Sequence, residues 1–281
     1  MRWWCLVLIA LPLAAGSPEW DRAHELYQRT EYRQSLAALI PLSDKDAATL
    51  QLIGQSYFML GDYKKASESF ERAIPLAPSS SELYEWLGRA YGRRAETASI
   101  FSAPGLASKT RQMFEKAVQL DPNNQDALDD LFDYYLQAPG LLGGGIPKAE
   151  QVAKRIADLN EAQGQYVQAQ LNEKRNEYQA AEEHLRRAAE LAPRQAGRIV
   201  DLAIYLAQHG RVKESDAMFA QAAKVAPNSP KVLFERADTY ISEKRNLDDA
   251  RQLLQRYLAS QLTPDDPPRE RAQELLKKID R

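Results

Sequence analysis

Cysteine is almost missing from this chain of 281 residues. The sole cysteine, Cys5, lies inside a short apolar run at the start, and none follows it. Everything after residue 5 is therefore excluded from disulfide bonding, thiolate catalysis and cysteine metal sites. Histidine is also scarce. His24, His184 and His209 are scattered, with no spacing that suggests shared ligation. Neither sign of charge dominates: 37 Lys and Arg stand against 39 Asp and Glu, a net charge of −2. No basic stripe or acidic tail is present, so neither nucleic acid nor an anionic membrane surface is an expected partner.

Long hydrophobic runs are confined to one place. The opening "MRWWCLVLIALPLAAG" holds one arginine, a short apolar core and the small residues Ala14, Ala15 and Gly16. That order resembles a secretory signal over residues 1–16, cleaved near Gly16. The core is shorter than the roughly 20 apolar residues of a membrane span. Retention as an N-terminal anchor is the alternative. Cys5 precedes the small residues and does not follow the core, so it is not placed as a lipid acceptor. An exported chain, periplasmic or secreted, is expected, with no membrane insertion once the signal is removed.

The rest of the chain is periodic. Residues 47–80 read "AATLQLIGQSYFMLGDYKKASESFERAIPLAPSS". Apolar or small residues fall at Leu50, Ile53, Gly54, Tyr57, Gly61, Tyr63, Ala66, Phe70, Ala73 and Pro78. The spacing predicts two amphipathic helices joined at Gly61-Asp62 and ended by a proline. The stretch resembles a tetratricopeptide repeat, whose unit of 34 residues carries this pattern. Related units follow at 81–124, 125–161, 162–195, 196–229 and 230–264. A degenerate unit precedes them at 18–42, and an amphipathic helix over 268–280 caps the end.

The resemblance implies an all-α, right-handed superhelical solenoid of helix-turn-helix repeats. One repeat cannot bury its apolar face alone, so neighbours must stack. Small residues such as Gly54, Gly88, Ala169, Ala203 and Ala237 are expected where the two helices of a unit cross.

The segment 138–148, "APGLLGGGIPK", raises the question of a phosphate loop. Gly140 and Gly145 have the P-loop separation, but Ile146 stands where lysine is required, and a helical pattern precedes. Both the P-loop and the dinucleotide-loop readings fail. The segment instead joins the two helices of its repeat, and the preceding repeat is also lengthened at the equivalent place. The two insertions, 95–109 and 137–147, both contain A-P-G-L. Equivalent loops of adjacent repeats share one edge of a solenoid. They are expected to touch, either as a small satellite core of Leu106, Leu141 and Leu142 or as a binding edge. Amides leading into Pro147 could also meet an anion. Similar insertions occur in exported bacterial repeat proteins, including ones resembling the T subunit of tripartite periplasmic transporters.

The family resemblance implies a concave groove lined by the first helix of each unit. Carried over by position, the candidates are Arg89, Asp129, Asp133, Tyr166, Gln170, Val200, Ile204 and Phe234, joined by Leu141 and Leu142 at the loop edge. The groove is expected to be acidic in the middle and more apolar toward the C-terminus. Some relatives clamp a terminal carboxylate with Lys at the fifth position and Asn at the ninth. Here the fifth position holds Gln51, Glu85, Asp129, Tyr166, Val200 and Phe234, so that clamp is absent. A basic or apolar segment suits the groove better.

No catalytic, cofactor or metal residues are expected. Asp129, Asp130 and Asp133 form a carboxylate cluster without a neighbouring base, which fits a solvated helix face better than an active site. Two readings stay open. One is a non-enzymatic scaffold in the bacterial envelope that binds a protein or peptide. The other is a ligand-handling or docking component of a periplasmic transport system that uses the two long insertions.

Overall fold

The computed structural model describes residues 18–279, so the expected signal segment lies outside the described residues. Fifteen α-helices and two short 3₁₀ turns make up this part, without a strand. Seven antiparallel pairs succeed one another: α1 (Pro18–Gln28) with α2 (Tyr32–Leu39), α3 (Ala47–Met59) with α4 (Tyr63–Ala73), and α5 (Ser81–Glu96) with α6 (Ala103–Leu120). Then come α7 (Gln125–Gln137) with α8 (Ile146–Leu159), α9 (Glu161–Lys174) with α10 (Tyr178–Leu191), and α11 (Ala196–Gln208) with α12 (Val212–Val225). The series ends with α13 (Pro230–Ser242), α14 (Leu247–Ala259) and the capping helix α15 (Arg269–Ile279). The chain is an all-α helical repeat solenoid.

Local chemistry sets the ends of these helices. Asp46, Asp62, Ser80, Asn124, Asn160 and Ser229 each cap a helix by accepting from an amide of its first turn, the role for which short polar side chains are favoured. Turns within the regular units are closed by a left-handed residue: Thr30, Gly61, Asn176, Gly210 and Lys244.

Packing follows from side-chain size at the crossings. Gly54 faces Phe70 and Gly88 faces Phe114 so closely that a β-carbon on either glycine would lie under 3 Å from the ring. Ala169, Ala203 and Ala237 are fully buried at matching places. First helices touch one another, α3 with α5, α5 with α7 and α11 with α13. This puts them on the inner side of the curve. The two ends of the solenoid approach each other. Pro264, Asp265 and Pro268 share the wall of one opening with Tyr27 and Gln28.

The lengthened third pair departs from expectation. Most of the inserted residues extend helices: α5 runs to Glu96 and α6 begins at Ala103, leaving only 97–102 as a link. The two A-P-G-L segments therefore differ in structure. Ala103–Leu106 forms the first turn of α6, where proline is tolerated because its missing amide would have no partner. Ala138–Leu141 leaves α7 and enters a 3₁₀ turn, Gly140–Leu142. Gly143 and Gly145 follow with φ of 88° and 140°, conformations that cannot continue a helix and that favour glycine.

Candidate binding groove

Helix α7 is where the site begins. Its sequence, QDALDDLFDYYLQ, puts Ala127, Leu128, Leu131, Phe132, Tyr135 and Leu136 in the core. Asp126, Asp129, Asp130 and Asp133 occupy the other face at helical spacing, so four carboxylates stand in a row on the concave side. Two have fixed partners. Gln163 Nε2 donates to Asp129 Oδ1 at 2.9 Å, and Arg89 Nε donates to Asp130 Oδ2 at 2.6 Å. Asp133 has no hydrogen bond or ion pair among the described residues. The nearby charges acting on it are Asp130 and Asp129.

Arg89 also reaches Glu85, at 3.3 Å, and stacks over Trp86. Glu85 is only 2% exposed and accepts a second bond from Asn124 Nδ2 at 3.1 Å. Burial nevertheless pushes its carboxyl up to about 7, because Arg89 and Asn124 only partly offset the lost hydration. Burial likewise raises Asp130 to about 6 against the pull of Arg89. Asp133 is reached by water, yet the surrounding protein displaces much of its hydration, and with the adjacent acids this raises it to about 6.

A cavity of about 440 Å³ opens beside this row. Phe58, Phe114, Ala107, Ala138, Pro139 and Leu142 supply apolar wall, while Asp130, Asp133, Arg89, Arg93 and Glu96 supply the polar groups. Phe58, Arg89 and Arg93 also border a second opening, of about 820 Å³, with Glu82, Glu85 and Asp126 on its walls. The two form one trough across the first half of the solenoid. Farther along, Tyr166, Gln170, Glu173, Asp201 and Ile204 line a smaller depression of about 200 Å³. Arg198 lies over the Tyr166 ring and pairs with Asp201 at 2.9 Å.

The expected groove residues divide accordingly. Arg89, Asp133 and Leu142 meet at the 440 Å³ cavity, with Asp129 beside them on α7, and Tyr166, Gln170 and Ile204 meet at the smaller depression. Val200 and Phe234 do not belong to either. They are 0% and 4% exposed. Val200 belongs to the core formed with Phe219 and Val232, and Phe234 packs on Tyr257 with ring centroids 5.2 Å apart. An apolar side chain at that helix position turns inward to the neighbouring helix, and acidic Asp201 takes the groove position beside it. The C-terminal half of the groove is consequently more polar than expected.

At the loop edge the outcome is also mixed. The 3₁₀ turn packs on α6, and Ala95, Glu96 and Ala107 share a cavity wall with Ala138, Pro139 and Leu142. The three leucines form no common core. Leu106 packs with the α3–α5 cluster, and Leu141 is 87% exposed. The glycine amides are occupied: Gly143 N–H donates to Gly140 O, Gly144 N–H to Pro139 O and Gly145 N–H to Tyr135 O. An anion would find no free amide at Gly143–Gly145. Tyr134 Oη donates to Leu142 O at 2.9 Å and Lys148 Nζ to Gly143 O at 2.8 Å, pinning the loop in place.

Comparison with known proteins settles the family. The tetratricopeptide repeat family is matched twice, over residues 47–80 and 200–267. The chain carries tetratricopeptide repeats in both its halves. Its fold resembles that of a tetratricopeptide repeat protein from Parabacteroides merdae, with 16% identity and a TM-score of 0.59, over 94% of this chain and 98% of that one. A thermophilic repeat protein of Thermus thermophilus aligns at 20% identity and a TM-score of 0.55, over 67% of this chain and 97% of its own. The C-terminal part of a repeat-containing protein from Cytophaga hutchinsonii gives 18% and 0.50, over 92% and 99%. At such identities the likeness concerns fold. No curated protein matches the sequence. Tetratricopeptide repeats form scaffolds for protein interaction.

Among the described residues, no group of three or more His, Cys, Asp or Glu side chains is arranged to hold a metal ion. No described helix is long and apolar enough to cross a membrane.

Proposed function

We propose that this protein is a non-enzymatic scaffold of the bacterial envelope that holds a segment of a partner protein in its concave trough. The observation that carries the reading is the trough itself: first helices of successive repeats bring apolar wall and a row of carboxylates onto one inner surface. Concave, mostly apolar clefts with a few convergent polar groups are the usual form of a binding site. The envelope location rests on the signal-like opening residues.

An array of overlapping peptides from the source organism's exported proteins tests it. Labelled protein should bind a subset, and Phe58→Arg, at the junction of the two openings of the trough, should remove part of that binding. Lys116→Glu, on α6, should not. Equal binding by both variants would count against the trough. Fractionation with N-terminal sequencing tests the location, with Ser17 or a close neighbour expected as the first residue.

The transport reading draws support from the 440 Å³ cavity, since the 137–147 segment supplies four of its wall residues, Gln137, Ala138, Pro139 and Leu142. A small-molecule ligand of a transporter would occupy that space alone, without the rest of the trough.

A further inference from the structure

We infer that the partner segment is basic and amphipathic, with a lysine or arginine that pairs with Asp133 while an adjoining apolar side chain enters the cavity between α5, α6 and α7. This rests on the scaffold reading above and names the chemistry of the partner. The cavity has two kinds of wall. Phe58, Phe114, Ala107, Pro139 and Leu142 offer apolar surface, and burial of such surface rewards an apolar guest. Asp133 stands at the same cavity with no donor or cation of its own among the described residues. Its neighbours on α7 are already engaged, Asp129 by Gln163 and Asp130 by Arg89.

Charge complementarity selects the guest. Arg89 is committed to Asp130 and Glu85, and Arg93 to Glu96 at 2.5 Å. The cations of the trough are therefore neutralised from within, and the carboxylate of Asp133 is left over. Glu82 and Asp126 add negative charge along the adjoining opening. An acidic segment would meet uncompensated carboxylates. A neutral apolar one would leave Asp133 partly dehydrated and unpaired. A cationic group supplies the missing donor, and charge-assisted pairs out of bulk water are the stronger ones. The long aliphatic stem of lysine or arginine can lie along apolar wall while its head reaches an acid.

Three fluorescein-labelled peptides of equal length test the inference by fluorescence anisotropy: one alternating leucine with lysine, one leucine with glutamate and one leucine with serine. The lysine peptide should bind best. Asp133→Asn should weaken it about tenfold or more, the scale of one charge-assisted pair. Asp248→Asn, an acid 93% exposed on α14 and outside the trough, should change nothing. Acetylating the peptide lysines should weaken binding to the wild-type protein as Asp133→Asn does, a comparison that needs no protein variant. Preference for the glutamate or serine peptide would overturn the inference and leave the scaffold reading standing. Equal binding of the lysine peptide by wild type and Asp133→Asn would overturn it too. Binding of none of the three would count against both.

Discussion

Gly54 lies against the ring of Phe70: a β-carbon at Gly54 would stand 2.6 Å from Phe70 Cε1, and Phe70 is fully buried. Two effects oppose each other in Gly54→Ala. Helix propensity favours alanine over glycine by up to about 1 kcal/mol, while overpacking a tight crossing costs about 1–3 kcal/mol. The crossing should win, lowering the melting temperature, and Gly54→Leu should lower it further. Gly105→Ala is the control. It sits in the first turn of α6 with open space at its β-carbon, so it should be neutral or stabilising. Equal effects of Gly54→Ala and Gly105→Ala would show that Gly54 does not set the approach of α3 and α4.

Gly144 fixes the 138–147 loop. A β-carbon there would lie 1.9 Å from the carbonyl oxygen of Ala138, a backbone atom that cannot rotate aside. Gly144→Ala should open the loop, withdrawing Pro139 and Leu142 from the cavity. Hydrogen exchange should quicken at Gly145, whose amide donates to Tyr135 O at 2.7 Å, while distant α12 and α13 keep their protection. Unchanged exchange at Gly145 would contradict this.

Phe234 belongs to stability, not to recognition. Phe234→Ala should cost about 3–5 kcal/mol, the usual price of emptying an aromatic site in a core, and should loosen the α13–α14–α15 end first. Repeat arrays unfold by parts, so denaturant unfolding should become visibly broader. Partner binding at the α5–α7 cavity should survive at temperatures where that end is folded.

Stability should fall as pH rises from about 5 to about 8. Glu85 is held near 7, and Asp130 and Asp133 near 6. A carboxyl whose pKa is higher in the folded chain favours folding while protonated, fully below its unfolded value, and loses that contribution as pH passes the folded value. Asp62, Glu182 and Glu214 are shifted downward, and their contribution is lost only in the acid range. Glu85→Gln should flatten the decline by on the order of 1–3 kcal/mol. Parallel pH profiles for wild type and Glu85→Gln would refute the assignment.

Much of the fold was legible because its signals are local. Gly54 and Gly88 lie 34 residues apart, as do Ala169, Ala203 and Ala237 in turn, and a small residue at a crossing is visible without knowing its neighbour. The site was harder to read. Position within the repeat placed Asp129, Asp133, Tyr166 and Ile204 on the inner surface, but the same rule misplaced Val200 and Phe234. Their apolar character was the available sign of burial, since an apolar side chain followed by an acid, as in Val200-Asp201 and Phe234-Glu235, turns to the core and leaves the acid to the groove side. Nothing in the four letters A-P-G-L separates a first helical turn at 103–106 from a helix exit at 138–141. The difference comes from Gly143 to Gly145, whose backbone cannot extend a helix. The cavity itself joins residues of α3, α5, α6, α7 and one loop, a grouping that only the fold brings together.

The central claim is that the concave trough is where this repeat protein meets its partner. Backbone amide shifts of the ¹⁵N-labelled protein, followed while the leucine–lysine peptide is added, test it most directly. The predicted result is a set of shifts concentrated in α5 and α7, extending to α3 and to the 138–147 loop, and reduced in Asp133→Asn. Shifts confined to α8, α10 and α12, the second helices of their pairs, would contradict it.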